Sequence, residues 1–159
     1  MRIGILTSGG DCPGLNAVIR GVVLKGTTAY GLDFVGIRDG WRGVVDGDFF
    51  PLSRHDVKGL SKVGGTILGT SRTNPYEGPR GGAENIARTL EDAGIDGILA
   101  IGGEGTLAAA NRLWKDGINV LGVPKTIDND LRAIDYSFGF DTAVNIATDA
   151  MDRLRTTGD

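Results

Sequence analysis

Three times along this chain a short apolar run ends in a polar loop rich in glycine or aspartate. Ile3-Gly4-Ile5-Leu6 runs into Thr7-Ser8-Gly9-Gly10-Asp11-Cys12-Pro13-Gly14, and Gly97-Ile98-Leu99-Ala100-Ile101 runs into Gly102-Gly103-Glu104-Gly105-Thr106. The third run, Val120-Leu121-Gly122-Val123, meets Pro124-Lys125-Thr126-Ile127-Asp128-Asn129-Asp130. Short, continuous apolar runs read as strands buried on both faces of a parallel sheet. Helical patterns lie between them, and strands alternating with helices predict a parallel sheet covered on both sides. The expected fold is therefore α/β, a Rossmann-like three-layer α/β/α sandwich with a mostly parallel sheet. In such open sheets, ligands bind beyond the carboxyl ends of the strands, where these loops stand.

Periodicity predicts a strand over 2–6 and a helix over 15–30, with Leu15, Val18, Ile19, Val22 and Val23 at helical spacing and Gly31 as its stop. A strand over 34–37 follows, then a glycine- and aspartate-rich stretch with a short helical piece near 56–60 and a short strand at Ile67-Leu68. Asn74-Pro75 and 76–79 read as loop. Helices are expected over 83–93 and 106–116, strands over 97–101 and 119–123, and a last helix over 142–155 with Ala143, Ala147, Ala150, Met151 and Leu154 on one face. Glycine makes up 27 of the 159 residues, far above the roughly 7 % of average proteins. No repeat or Ser/Pro tract accompanies it, so the excess fits close-approach turns. The length suits one domain.

A net charge of −3 offers nothing global to attract nucleic acid. No apolar run approaches the ~18 residues of a membrane span. Met1-Arg2 leads straight into a strand, so no signal peptide is expected, and the single cysteine, Cys12, admits no internal disulfide. A reducing, cytoplasmic setting is the default expectation. Cys12 reads as a small buried residue and not a nucleophile, because no histidine lies near it in sequence. His55 reads as a surface residue near a helix start, Trp41 and Trp114 as packing residues, and Arg20 and Lys25 as solvated helix charge.

The chemistry lies in the loops. Glycine lets the backbone approach a ligand closely, and a following helix presents free N–H groups to an anion. The two Gly-Gly loops therefore read as phosphate cradles. The 124–130 segment adds two carboxylates, a hydroxyl and an ammonium. Like charges so close repel unless a metal, a proton or a cation offsets them. The plain alternative is an Asx-rich turn.

Thr7 to Asn16, Gly64-Gly65-Thr66-Ile67-Leu68-Gly69-Thr70-Ser71-Arg72, Gly102 to Thr106 and Pro124 to Asp130 are collinear, and Ala150-Met151-Asp152-Arg153-Leu154 closes the series. In order and spacing they resemble the amino-terminal portion of the phosphofructokinase family, over essentially the whole chain. The family's chain is roughly twice as long as this one. Residues 1–159 are thus expected to form its phosphoryl-donor-binding domain, without the carboxyl-terminal part, and to turn over slowly or not at all alone. The resemblance implies phosphoryl transfer to the 1-hydroxyl of fructose 6-phosphate, giving fructose 1,6-bisphosphate, in an enzyme that assembles as a homo-oligomer. It implies Asp128 as general base, Asp130 as its partner, and Thr126 in contact with the transferring group. Thr126, Ile127 and Asp128 would face the sugar phosphate.

On the donor side the resemblance implies Gly10, Arg72, Thr73, Gly103, Glu104, Gly105 and Thr106. Arg72 would fork onto phosphate oxygens and spread charge in the transition state. Glu104 would meet Mg²⁺, which favours one or two carboxylates plus phosphate oxygens; the family usually has aspartate here. Trp41 matches a position near the nucleotide. Arg20, Lys25 and Arg54 lie near positions for an allosteric nucleotide phosphate, although Leu24 departs from that pattern. Gly105 and Lys125 bear on the donor. Gly105 leaves room for the α-phosphate and adenosine of ATP, where pyrophosphate users often carry aspartate. Lys125 points toward pyrophosphate, whose users often carry lysine here. Steric exclusion is the harder constraint, so ATP is expected and pyrophosphate is the alternative. Gly-Gly-acid-Gly-Thr also occurs in NAD and lipid kinases, but the 124–130 loop argues against them. A non-catalytic nucleotide-binding fragment and, more weakly, a flavodoxin-like small-molecule binder are the readings of another class.

Overall fold

A computed structural model describes residues 1–132 and 134–158. In chain order the elements are β1 (Arg2–Ser8), α1 (Leu15–Tyr30), β2 (Asp33–Ile37), α2 (Trp41–Asp46), β3 (Phe49–Pro51), a 3-10 turn (Leu60–Lys62) and α3 (Ala83–Asp92). Then come β4 (Gly97–Gly102), α4 (Glu104–Lys115), β5 (Val120–Thr126), β6 (Phe138–Gly139) and α5 (Phe140–Gly158). The strands form one sheet in the order β3-β2-β1-β4-β5-β6. All pairs are parallel except β2 with β3. The sequence order reverses between β1 and β4, which makes their carboxyl ends a topological switch point.

Alternation along the central strands builds the three layers, because successive side chains in a strand point to opposite faces. Ile5, Leu99 and Ile101 pack with Leu15, Ile19 and Val23 of α1 on one face. Leu6, Ile98 and Ala100 pack with Trp41 of α2, Ile86 and Leu90 of α3 and Leu113 of α4 on the other. The α/β sandwich is the one the periodicity predicts. Gly31 stops α1 in the left-handed region at φ 62°, with its N–H bonded to the Gly26 carbonyl. Among the described residues no helix is long and apolar enough to cross a membrane.

Several local expectations are corrected. Ile67-Leu68 is a turn and not a strand. Gly69 N–H bonds the Thr66 carbonyl at 3.3 Å, and Asn16 accepts from Ile67 N–H, so the backbone groups a strand would pair are used locally and across to α1. The helical piece near 56–60 is a run of turns followed by the 3-10 turn. α2 and the antiparallel β3 occupy a stretch that reads only as glycine- and aspartate-rich. β5 runs on through Thr126, so Pro124 and Lys125 end a strand and the loop proper begins at Ile127. Proline is tolerated because β5 pairs there with β4 alone; β6 joins only at Lys125 and Thr126. Trp114 is 62 % exposed, and Met151 and Leu154 are exposed on α5. Arg20 is half-buried and donates to the Val57 carbonyl at 2.9 Å, so it ties α1 to the 53–60 segment instead of sitting in solvent.

Candidate active site

The carboxyl ends of β1, β4 and β5 open into a cleft of 1390 Å³. Gly10, Arg72, Thr73, Gly103, Glu104, Gly105, Thr106, Lys125, Thr126, Ile127, Asp128 and Asp130 all line it. Residues up to 120 positions apart are thus gathered at the switch point of the sheet.

One wall is the β1 loop zipped to the 64–73 loop. Thr7 Oγ1 donates to the Gly69 carbonyl at 2.7 Å and shares a 2.8 Å hydrogen bond with Thr66 Oγ1. Ser8 Oγ and Gly9 N–H both donate to the Ser71 carbonyl, and Thr70 Oγ1 donates to the Gly9 carbonyl at 2.5 Å. Asn16, 1 % exposed, donates to the carbonyls of Val63 and Gly64 and accepts from Ile67 N–H. Asn16 stood in the sequence motif, but its work as the clasp of this loop becomes visible only here. Arg72 follows directly, exposed in the cleft and without an ion pair among the described residues.

The second wall is the head of α4. Gly102 must be glycine: a Cβ there would stand 2.4 Å from Thr106 Oγ1 and 2.6 Å from the Ser8 carbonyl oxygen. Gly103 caps α4 with no side-chain hydrogen bond, so the first-turn N–H groups have no intrahelical partner. That end of a helix attracts anions. Glu104 is exposed at this end. A Cβ on Gly105 would meet nothing within 4 Å, so the space beside it is open. Among the described residues no group of three or more His, Cys, Asp and Glu forms a cage for a metal. A lone carboxylate beside an anion cradle fits Mg²⁺ carried in on phosphate oxygens, as that ion usually is.

The third wall is the 126–130 turn, which organises itself. Thr126 Oγ1 bonds Asp130 Oδ1 at 2.8 Å and accepts from Asp128 N–H at 3.1 Å. Asn129 takes the left-handed conformation at φ 52°, which asparagine tolerates better than most residues. Its side chain accepts from Ser137 N–H at 2.9 Å, and Ser137 Oγ donates to the Thr126 carbonyl at 2.6 Å. The two aspartates therefore differ. Asp130 is tied to Thr126, whereas the exposed Asp128 carboxylate has no hydrogen bond among the described residues. Ile127 is 43 % exposed beside it.

Lys125 is only 5 % exposed, and its Nζ donates to the Gly10 carbonyl. Among the described residues no carboxylate pairs with it. Cys12, 2 % exposed, donates to the Pro13 carbonyl at 3.3 Å. Burial pushes its thiol above the ordinary 9.0, with the nearby Lys125 charge opposing and Asp11 and Asp128 adding to the rise. It is a small buried residue, as expected. His55 is exposed in a turn, and its N–H donates to Ser53 Oγ. The sequence reading missed Tyr76, Asn111 and Arg112, which also line the cleft; no local signal marks them.

The phosphofructokinase family model matches residues 2–159. The chain is 62 % identical, over 159 residues, to a pyrophosphate–fructose 6-phosphate 1-phosphotransferase of Amycolatopsis methanolica; the match covers 100 % of this chain and 46 % of that protein. It is 54 % identical to ATP-dependent 6-phosphofructokinase 3 of Streptomyces coelicolor, with the same coverage. Among solved structures it is similar to Pichia pastoris phosphofructokinase in the T-state, with a TM-score of 0.85 and 31 % identity over 97 % of this chain and 19 % of that one. The chain spans about half the length of the curated relatives it matches. On a family model that spans nearly every residue and on relatives this similar, the chain belongs to the phosphofructokinase family.

Proposed function

We propose that residues 1–159 form the phosphoryl-donor-binding and catalytic part of a 6-phosphofructokinase, which transfers a phosphoryl group from ATP to the 1-hydroxyl of fructose 6-phosphate. The observation that carries this reading is Asp128, an aspartate with no partner among the described residues, held on a self-organised turn that shares one cleft with a helix N-terminus whose first-turn N–H groups have no intrahelical partner.

Phosphoryl transfer needs positioning and charge neutralisation more than covalent chemistry. The sugar hydroxyl is a poor nucleophile until it loses its proton, and Asp128 accepts that proton as the oxygen attacks. Asp130 holds Thr126, which aims the turn and meets the transferring group, with Ile127 beside the sugar phosphate. On the donor side, Gly10 N–H and the first-turn N–H groups of Gly103 to Thr106 bind phosphate oxygens. Arg72 and Thr73 close over the transferring phosphoryl, where a guanidinium spreads the developing charge. Glu104 would hold Mg²⁺ together with the donor phosphates, and the ion supplies charge neutralisation there. The whole enzyme is a cytoplasmic homo-oligomer in this reading. The 159-residue chain alone turns over slowly or not at all, and near full-length turnover by the purified piece would overturn that part.

Open space beside Gly105 supports ATP. Pyrophosphate is the second reading, favoured by the buried, carboxylate-free ammonium of Lys125 and by the name of the 62 % identical relative. A compact cation deep in the cleft suits a small, highly charged donor. Fructose 1,6-bisphosphate formation by the complete reading frame, with ATP and pyrophosphate compared at saturating Mg²⁺, separates the two. Faster turnover with ATP supports the first reading, and faster turnover with pyrophosphate replaces it by the second. Product with neither donor leaves the non-catalytic nucleotide-binding alternative.

A further inference from the structure

Arg72 is carried by a segment that is fastened from outside the cleft. Ser71 Oγ donates to the Asp39 carbonyl at 2.5 Å and shares a 3.2 Å hydrogen bond with Thr73 Oγ1. Thr73 N–H also reaches Ser71 Oγ, at 3.5 Å. The Ser71 carbonyl accepts from Ser8 Oγ and from Gly9 N–H. A serine hydroxyl that meets the backbone two residues on closes an ST turn, and Arg72 stands at its middle. The residue before Arg72 is thus held through both its main chain and its side chain, and the residue after it is tied to the same hydroxyl. Arg72 and Thr73 line the cleft, whereas Ser71 and Asp39 stand behind it.

The anchor is itself strained. Asp39 takes the left-handed conformation at φ 52°, which residues other than glycine adopt sparsely. In that conformation its N–H donates to the Leu68 carbonyl at 2.8 Å while its own carbonyl receives Ser71 Oγ. One turn therefore grips both ends of 68–71. Two glycines let it close in: a Cβ on Gly69 would stand 2.3 Å from Asp39 Oδ1, and one on Gly40 would stand 2.8 Å from the Thr7 carbonyl oxygen. Strained backbone persists where the surroundings over-determine it, and it clusters where geometry serves function. The plain reading is that Ser71 only closes its loop. Thr7, Asn16 and Thr70 already clasp residues 63–70 for that purpose. What Ser71 adds is a hold on the two residues that flank Arg72.

We propose that Ser71, hooked onto the left-handed turn at Asp39, is a positioning residue for phosphoryl transfer. It acts through Arg72: with the chain fixed on both sides, the guanidinium meets the donor's phosphate oxygens without first ordering its own backbone. This rests on Arg72 meeting the transferring phosphoryl, so the test couples the two residues and reads binding as well as turnover.

A double-mutant cycle on the complete protein makes the measurement. Ser71→Ala should lower kcat about tenfold to a hundredfold and leave KM for fructose 6-phosphate little changed. In an Arg72→Ala background the same change should do almost nothing to kcat. Ser71→Thr keeps a hydroxyl and should recover most of the loss. Thermal melts show that each variant is folded, and Ser71→Cys, a weak donor, replaces Ser71→Ala if that variant does not fold. Three results overturn the proposal: Ser71→Ala at wild-type kcat, an equal fold-loss in both backgrounds, or Ser71→Thr no better than Ser71→Ala. Calorimetric titration with Mg²⁺-pyrophosphate repeats the cycle without turnover, and it decides where no product forms. Coupling in binding by a protein that phosphorylates no sugar upholds Ser71 and sinks the catalytic reading. Turnover that needs Arg72 but falls equally with Ser71→Ala in both backgrounds sinks Ser71 alone.

Discussion

On the donor side of the cleft, Thr7, Ser8 and Asn16 are each at most 3 % exposed and bond to residues about fifty to sixty positions away. On the catalytic side, around β5, β6 and α5, Leu121, Tyr136, Ile146, Met151 and Leu154 are each at least 60 % exposed, and among the described residues the side-chain hydrogen bonds of the 126–130 turn reach no further than Ser137. The first region takes its shape from the core beneath it. The second takes its shape from its own side chains. Damage to the donor wall should therefore register as lost stability, whereas damage to the turn should register as lost chemistry. Among the described residues, two side-chain hydrogen bonds join the β1 loop to the β5–β6 region: Lys125 to the Gly10 carbonyl, and Cys12 Sγ to the Phe138 carbonyl at 3.7 Å. Gly139 makes the second fit, because a Cβ there would lie 2.0 Å from Cys12 Sγ.

The sharpest test of that contrast is Asp128→Asn. Removing a positioned base should cut kcat by about 10² to 10⁴-fold. The melting temperature should stay within a degree or so of wild type, because among the described residues no bond to that carboxylate holds the fold. A comparable loss of stability would mean that the turn is not autonomous. Gly102→Ala should do the opposite: about 1–3 kcal/mol of stability lost to overpacking against Thr106 and Ser8, seen as a lower denaturation midpoint in urea. Asn16→Ala removes three hydrogen bonds made by a buried amide, each worth about 0.5–1.5 kcal/mol net. Its hydrogen-exchange signature should spread over 63–71, and exchange confined to α1 would break the comparison.

The smallest effect is expected at the seam. Burial raises the Cys12 thiol, so the folded state holds that proton more tightly than the unfolded chain does. The contribution is full below the unfolded pKa and is lost as pH rises through the folded value. Wild type should thus lose stability relative to Cys12→Ser between the ordinary value of 9.0 and the folded value, with parallel curves near neutrality. Denaturation midpoints measured across that range check it. Curves parallel throughout would mean that the thiol is not desolvated.

What could be read from the sequence was what repeats at short range. Apolar runs of four or five residues followed by loops rich in glycine or aspartate located β1, β4 and β5, and helical spacing located α1, α3 and α4. The candidate site was legible for the same reason, since each phosphate loop is a contiguous motif. Where the reading went astray, a distant partner decided the outcome. Ile67-Leu68 looks like a strand until Asn16, about fifty residues away, takes its backbone N–H. Arg20 looks solvated until the 53–60 segment folds under it. β3 has too few residues to announce itself and exists because β2 offers an edge.

The sequence by itself determined the α/β alternation, the three strand-end loops and the residue types that face a phosphate, because period and turn chemistry are properties of neighbours along the chain. Only the tertiary structure decided which aspartate is tied and which is free, that Lys125 is buried against Gly10, and that Ser71 meets Asp39. Those outcomes depend on residues brought together by the sheet order, and no local pattern encodes a contact between side chains that only the folded core makes neighbours.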